Sequence, residues 1–152
     1  MTEAIFKIKV YQCFFQMVLD KISLLQQSLL DLKESSSNET KSTAGDKYET
    51  ALAMLQLDQE KTSRQLQDAL VQKALFEKID PSIPATRIAN GSLVKTDKGY
   101  LFLSVAIGKA LVDGKVVIAI SPGSPLGKAL MGLERKDTTS VNGNIYQIED
   151  IC

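Results

Sequence analysis

The sequence predicts an α+β fold: an N-terminal antiparallel α-helical hairpin of coiled-coil type, followed by a small sheet domain with one short helix. Three observations point there. Apolar residues recur in alternating four- and three-residue steps early in the chain, and a second such seam follows a polar break. Beyond a proline-marked boundary the pattern changes to short β-type runs separated by turn residues. The 152 residues suffice for one domain or two small ones, and 44% hydrophobic with 24% charged residues is the balance of ordinary soluble material.

The first helix rests on Tyr11, Phe15, Val18, Ile22, Leu25, Leu29 and Leu32, a seam down one side for about six turns. The stretch "KESSSNETKSTAG" then interrupts the apolar pattern with residues that compete with helix or favour turns. A second helix is expected from about Asp46 to Ile79, with Tyr48, Leu52, Leu55, Leu66, Ala69 and Phe76 on its seam, weakened in the middle by Gln59 and Thr62. Two such helices joined by a short polar break fold back on each other. At 1.5 Å of rise per residue, an arm of about 28 residues would reach roughly 40 Å. A plain bundle or an intermolecular coiled coil would show the same seam.

Pro81 and Pro84 in "DPSIPATRIANG" end the second helix and set the domain boundary, giving a hairpin over 1–80 with its tip near 45–50 and a sheet domain over 81–152. Strands are expected at "SLVKT", "GYLFLSVA", "KVVIAIS" and "NIYQIEDI", in an antiparallel or mixed sheet. Between them "SPLGKALMG" reads as a helix: Ser124 as cap, Pro125 in the first position, Gly132 at the exit. The same stretch imitates a phosphate loop, but Pro122 stands where the first glycine belongs and Ala129 replaces the hydroxyl residue.

Composition excludes several function classes. There is no histidine, so Ser-His and Cys-His nucleophile pairs, histidine bases and most zinc patterns are absent. Basic and acidic residues number 18 each, which gives no electrostatic footprint for free nucleic acid. Cys13 and Cys152 form no spaced framework, and "VYQCFFQMVL" is too short and polar to span a bilayer. A cytoplasmic protein without a membrane partner is the expectation.

Two carboxylates, Asp46 and Glu49, lie three residues apart at the expected tip. On a helix that spacing shares a face, so both can address one cation. It is equally a capping-box arrangement, with acids placed well for the helix dipole.

"GDKYETA" resembles the "GD-x-x-E-x-A" tip of the Gre family (GreA/GreB-like) of bacterial transcript-cleavage factors. "ISPGSPLGKALMG" followed by "NIYQIEDI" resembles that family's C-terminal domain, so the resemblance covers roughly residues 9–152. It implies an FKBP-like fold for the second domain and a transcription elongation factor that binds RNA polymerase, its hairpin entering the secondary channel. It further implies that Asp46 and Glu49 help hold a magnesium ion shared with the polymerase and so assist cleavage of backtracked RNA. The chain would be an accessory factor rather than an enzyme, a monomer without a cofactor of its own, meeting nascent RNA and DNA only through the elongation complex. Carboxylates are suitable hard oxygen ligands, but two cannot form a magnesium cage alone. Ser121, Pro122, Ser124, Pro125 and Lys128 match the segment near the polymerase-docking surface, although capping, turn geometry and packing also account for the matching serines, prolines and Gly127. Leu126, Leu130, Ile145 and Ile148 read as core.

The sequence departs from the family at Tyr48 and at Thr50, Leu52 and Ala53, where only Ala51 of the usual Asn-Ala-Glu-Tyr continuation remains. The opening "MTEAIFKIKVYQ" also lacks the family's Pro-Met-Thr and glycine. These departures bear on cleavage more than on binding. The alternatives are a noncatalytic secondary-channel regulator and, by fold analogy only, an FKBP-like prolyl isomerase or scaffold.

Overall fold

The computed structural model describes the backbone of residues 2–42 and 46–152, and the side chains of residues 3–37 and 49–152. Two long helices, α1 (Thr2–Ser42) and α2 (Asp46–Glu77), precede β1 (Leu93–Thr96), β2 (Gly99–Leu103), β3 (Gly108–Val112), β4 (Lys115–Ile120), α3 (Pro125–Leu130), β5 (Thr138–Val141) and β6 (Asn144–Ile151). The expected α+β class is what the structure shows. The chain forms two compact units, residues 18–73 and residues 1–17 with 74–152. The compact sheet unit thus includes the first turns of α1 and the last turn of α2.

The stretch read as a break after Lys33 is helical as far as Ser42. Each Ser, Asn or Thr costs at most about 0.7 kcal/mol in a helix, and no Gly or Pro occurs there to stop propagation. The expected ends of α2 hold within two residues.

In the helical unit the seam is thin. Val18, Ile22 and Ala69 are buried, while Leu25, Leu29, Leu32, Leu52, Leu55 and Leu66 are half-buried, as expected where each helix has a single partner to cover it. Gln59, in the weak middle of the second seam, donates from Nε2 to the Leu32 carbonyl at 3.3 Å. A polar residue in the seam is thereby satisfied across the pair.

In the other unit the six strands run in the order β3-β4-β2-β1-β6-β5. The β2–β4 pair is parallel and the rest are antiparallel, so the sheet is mixed. Two-residue turns at Asp113-Gly114 and Asn142-Gly143, all four residues at positive φ, close the β3–β4 and β5–β6 hairpins. One face of the sheet, through Val94, Leu101, Leu103 and Ile148, packs with Ile88 and with Leu130 of α3. The other face receives the helix bases: Phe14 stacks on Phe102 at 6.1 Å, Phe76 lies 6.3 Å from Phe102, and Phe6 meets Tyr100 edge-on at 5.1 Å.

Early in α1, the most deeply buried apolar side chains are therefore Phe6, Val10 and Phe14, at i, i+4 and i+8 on the sheet-facing stripe, rather than Tyr11 and Phe15 of the expected seam. Tyr11 and Phe15 flank that stripe and contact Phe76 of α2 at 5.6 and 5.8 Å. The Tyr11 hydroxyl donates to the Phe76 carbonyl at 2.8 Å, and burial pushes its pKa up.

Lys7 is almost wholly buried and donates from Nζ to the Ile83 carbonyl at 2.8 Å, tying α1 to the segment after α2. Burial holds its pKa below the ordinary lysine value. The folded state thus binds this proton more weakly than the unfolded chain. Between the lowered folded value and the unfolded value near 10.4, stability from this group rises with pH. Comparing urea midpoints of wild type and Lys7→Met from about pH 7 to about pH 10 should show the difference moving in favour of wild type. A constant difference would show that the amine does not titrate differently in the two states.

Candidate functional site

Asp46 is the first residue of α2 and Glu49 follows within its first turn. The backbone therefore puts both carboxylate-bearing residues on one face at a helix N-terminus. Glu49 is exposed. The side chains of Asp46 and Tyr48, and residues 43–45 altogether, lie outside the described residues. Among the described residues no three His, Cys, Asp or Glu side chains converge as a metal site. Two carboxylates on one turn supply part of a magnesium shell, and the remaining oxygens would have to come from another molecule.

The second group of expected residues is built around α3. Ser124 caps the helix: its Oγ accepts from the Gly127 amide at 3.0 Å and donates to the Ser121 carbonyl at 2.7 Å. Ser121 Oγ in turn accepts from the Gly123 amide at 3.1 Å. Pro125 occupies the first helical turn, where its missing N–H costs nothing. Gly127 is buried under this loop, and a Cβ there would lie 2.1 Å from the Ser121 carbonyl oxygen and 2.9 Å from the Pro122 Cα. This close approach presses the loop against the helix. Pro125 and Lys128 are exposed, while Ser121, Pro122 and Ser124 are half-buried. The segment is thus a rigid cap presenting one cation, with the serine hydroxyls engaged in the cap itself.

Leu130 and Ile148 are core and Leu126 packs at its margin, as expected. Ile145 is not core: it is 61% exposed. It sits opposite Ser140 of the edge strand β5, two residues from exposed Gln147, on the side of β6 away from buried Ile148.

The structure also reveals an apolar surface that the sequence reading missed. Leu111, Val116 and Ile118 are exposed and, by the pairings Leu111↔Val116 and Lys109↔Ile118, share one face of the β3–β4 hairpin. The run "KVVIAI" is apolar at five successive positions, yet only Val117 and Ala119 on its inner face are buried. No signal in "GKALV" marks its neighbour as a strand with an open face. The chain passes from Ile120 directly into Ser121, so this surface adjoins the α3 cap in sequence.

No helix among the described residues is long and apolar enough to cross a membrane. No protein-family model matches the chain, and no curated protein shows significant sequence similarity to it. Among solved structures, the chain is similar to GreA factor homolog 1 (Gfh1) of Thermus thermophilus, at 14% identity and a TM-score of 0.38, over 91% of this chain and 94% of that one. It is also similar to a structure of the transcription factor Gfh1, at 16% identity and a TM-score of 0.37, over 90% of this chain and 92% of that one. At TM-scores below one half these likenesses carry no functional weight.

Proposed function

We propose that the protein is an accessory factor of bacterial RNA polymerase that acts through the secondary channel and stimulates the polymerase's own cleavage of backtracked RNA. The observation supporting this most strongly is the pairing of the Gre-like motif "GDKYETA" with the start of the second of two long helices, where Asp46 and Glu49 share a face. The later motif, "ISPGSPLGKALMG", adds a second point of resemblance, in the expected order and on a capped helix.

In this reading the residues of the chain divide the work. Asp46 and Glu49 bring two oxygen ligands to a magnesium ion, which when bound supplies charge stabilisation for the phosphoryl oxygens. Their spacing in the first turn of α2 places both residues on one side of the helix. Lys128, on the rigid α3 cap, meets the polymerase surface outside the channel. A second reading, a channel regulator that does not cleave, is favoured by Thr50, Leu52 and Ala53, which replace the usual continuation of the tip.

Binding is tested with purified core RNA polymerase and fluorescently labelled full chain. Saturable binding is expected, with Lys128→Glu weakening it about tenfold through a repulsive or lost charge contact. Absence of binding sinks both readings. Unchanged affinity of Lys128→Glu sinks the docking role of α3.

A further inference from the structure

The chain holds two Asn-Gly steps, Asn90-Gly91 and Asn142-Gly143, and the fold holds them in different ways. The dipeptide is chemically labile, because glycine leaves its backbone nitrogen open to approach the preceding carboxamide. Ring closure needs the asparagine Cγ and the glycine nitrogen on the same side of the Cα–C bond. That is the ψ of about −120° at the first central residue of a type II′ turn, the mirror image of type II.

Asn90-Gly91 is held against this. Gly91 is buried and its amide donates to the Leu103 carbonyl at 2.6 Å. The turn around it is closed by the Ser92 amide on the Ala89 carbonyl at 3.0 Å and by the Ala89 amide on Ser92 Oγ at 2.9 Å. Rotating the Asn90-Gly91 peptide would leave a buried donor without its partner.

Asn142-Gly143 is the exposed two-residue turn of the β5–β6 hairpin, with Asn142 at φ 52° and Gly143 at φ 81°, the type I′ arrangement. Among the described residues no hydrogen bond holds the Asn142 carbonyl or the Gly143 amide. A flip of this one peptide carries type I′ into type II′. Asn142 keeps its positive φ, Gly143 tolerates either sign, and the Val141↔Asn144 pair still closes the hairpin, as it does in both turn types. The flipped turn brings the Gly143 nitrogen beside Asn142 Cγ.

From an exposed Asn-Gly turn that can flip without unpairing its strands, we propose that Asn142 is a site of spontaneous modification, converting through a cyclic imide to aspartate and isoaspartate. The Gly143 nitrogen bonds to Asn142 Cγ, the Cγ–Nδ2 bond breaks, and ammonia leaves with the glycine amide proton. Water then opens the ring. Addition at Cγ restores the ordinary backbone with an aspartate, and addition at the Asn142 main-chain carbonyl leaves Gly143 joined through Cγ as an isoaspartate. Either product brings a negative charge to the hairpin tip, and isoaspartate lengthens the turn by one backbone carbon that the Val141↔Asn144 pair must absorb. The inference is independent of the proposed polymerase role.

The full-length protein is incubated in mildly alkaline buffer made with heavy-oxygen water, either folded or in guanidinium chloride, and followed by peptide mapping with mass spectrometry. In the folded protein Asn142 should convert at least about tenfold faster than Asn90, the worth of one buried amide hydrogen bond, with heavy oxygen and isoaspartate both found at 142. In denaturant, where the two steps share the same local chemistry, the rates should converge. Equal rates in the folded protein, or a difference that persists in denaturant, would overturn the structural origin of the selectivity. Aspartate without isoaspartate at 142 would overturn the cyclic route, and conversion of Asn142 in denaturant but not in the folded protein would overturn the turn flip.

Discussion

Phe76→Ala is expected to lower the unfolding free energy by about 3–5 kcal/mol, the cost of removing a fully buried aromatic ring. The ring is 0% exposed and meets Tyr11, Phe15 and Phe102, joining both helices to the sheet. Its backbone carbonyl accepts the Tyr11 hydroxyl, a bond that alanine retains, so the loss isolates packing from hydrogen bonding. Urea denaturation followed by circular dichroism should show a lower midpoint with little change in slope. A loss below about 1 kcal/mol would mean that the aromatic cluster is not closely packed.

Gly127→Ala should also destabilise, although glycine to alanine inside an exposed helix normally gains about 1 kcal/mol. The sign reverses because the new methyl would lie 2.1 Å from a backbone oxygen and 2.9 Å from a backbone carbon, and neither is the flexible end of a side chain. The loop holding Ser121 and Pro122 must move, with a penalty of about 3 kcal/mol, at the upper end of ordinary overpacking. Ser124→Ala removes the cap and the hydrogen bond to the Ser121 carbonyl and should cost about 1–2 kcal/mol. Thermal unfolding of the two variants side by side checks the order. Gly127→Ala as stable as wild type would show that the loop yields freely.

Much of this architecture could be read from residue types. Prolines 81 and 84 follow the end of α2, and Ser124, Pro125 and Gly132 gave the position of α3 because each suits a particular backbone conformation or missing donor. Strands whose side chains are mostly inward, such as β1 and β2, announced themselves by hydrophobicity. The strands β3 and β5 did not: "GKALV" and "TTSV" carry few β-forming apolar residues, and their pairing is imposed by neighbours. Nor did the sequence reveal which stripe at the start of α1 is most deeply buried. Tyr11, Phe15, Val10 and Phe14 are all apolar, and the choice among them depends on a sheet about a hundred residues away in the chain.

The candidate site was legible in the same uneven way. The position of Asp46 at the start of α2 followed from the glycine before it and the seam after it. The exposed surface of Leu111, Val116 and Ile118 was hidden, since a strand of uniformly apolar residues gives no hint of which side is open.

Cleavage in stalled, backtracked elongation complexes is the most direct measurement of the proposed role. With bacterial RNA polymerase, magnesium and 3′-end-labelled RNA, wild-type protein should release labelled fragments, and the Asp46→Asn, Glu49→Gln double variant should release them at least about a hundredfold more slowly while still binding the polymerase. Fragment release by wild type and variant alike would contradict the role of the two carboxylates. Binding by both with release by neither would contradict cleavage stimulation and leave the protein a regulator that occupies the channel without cutting.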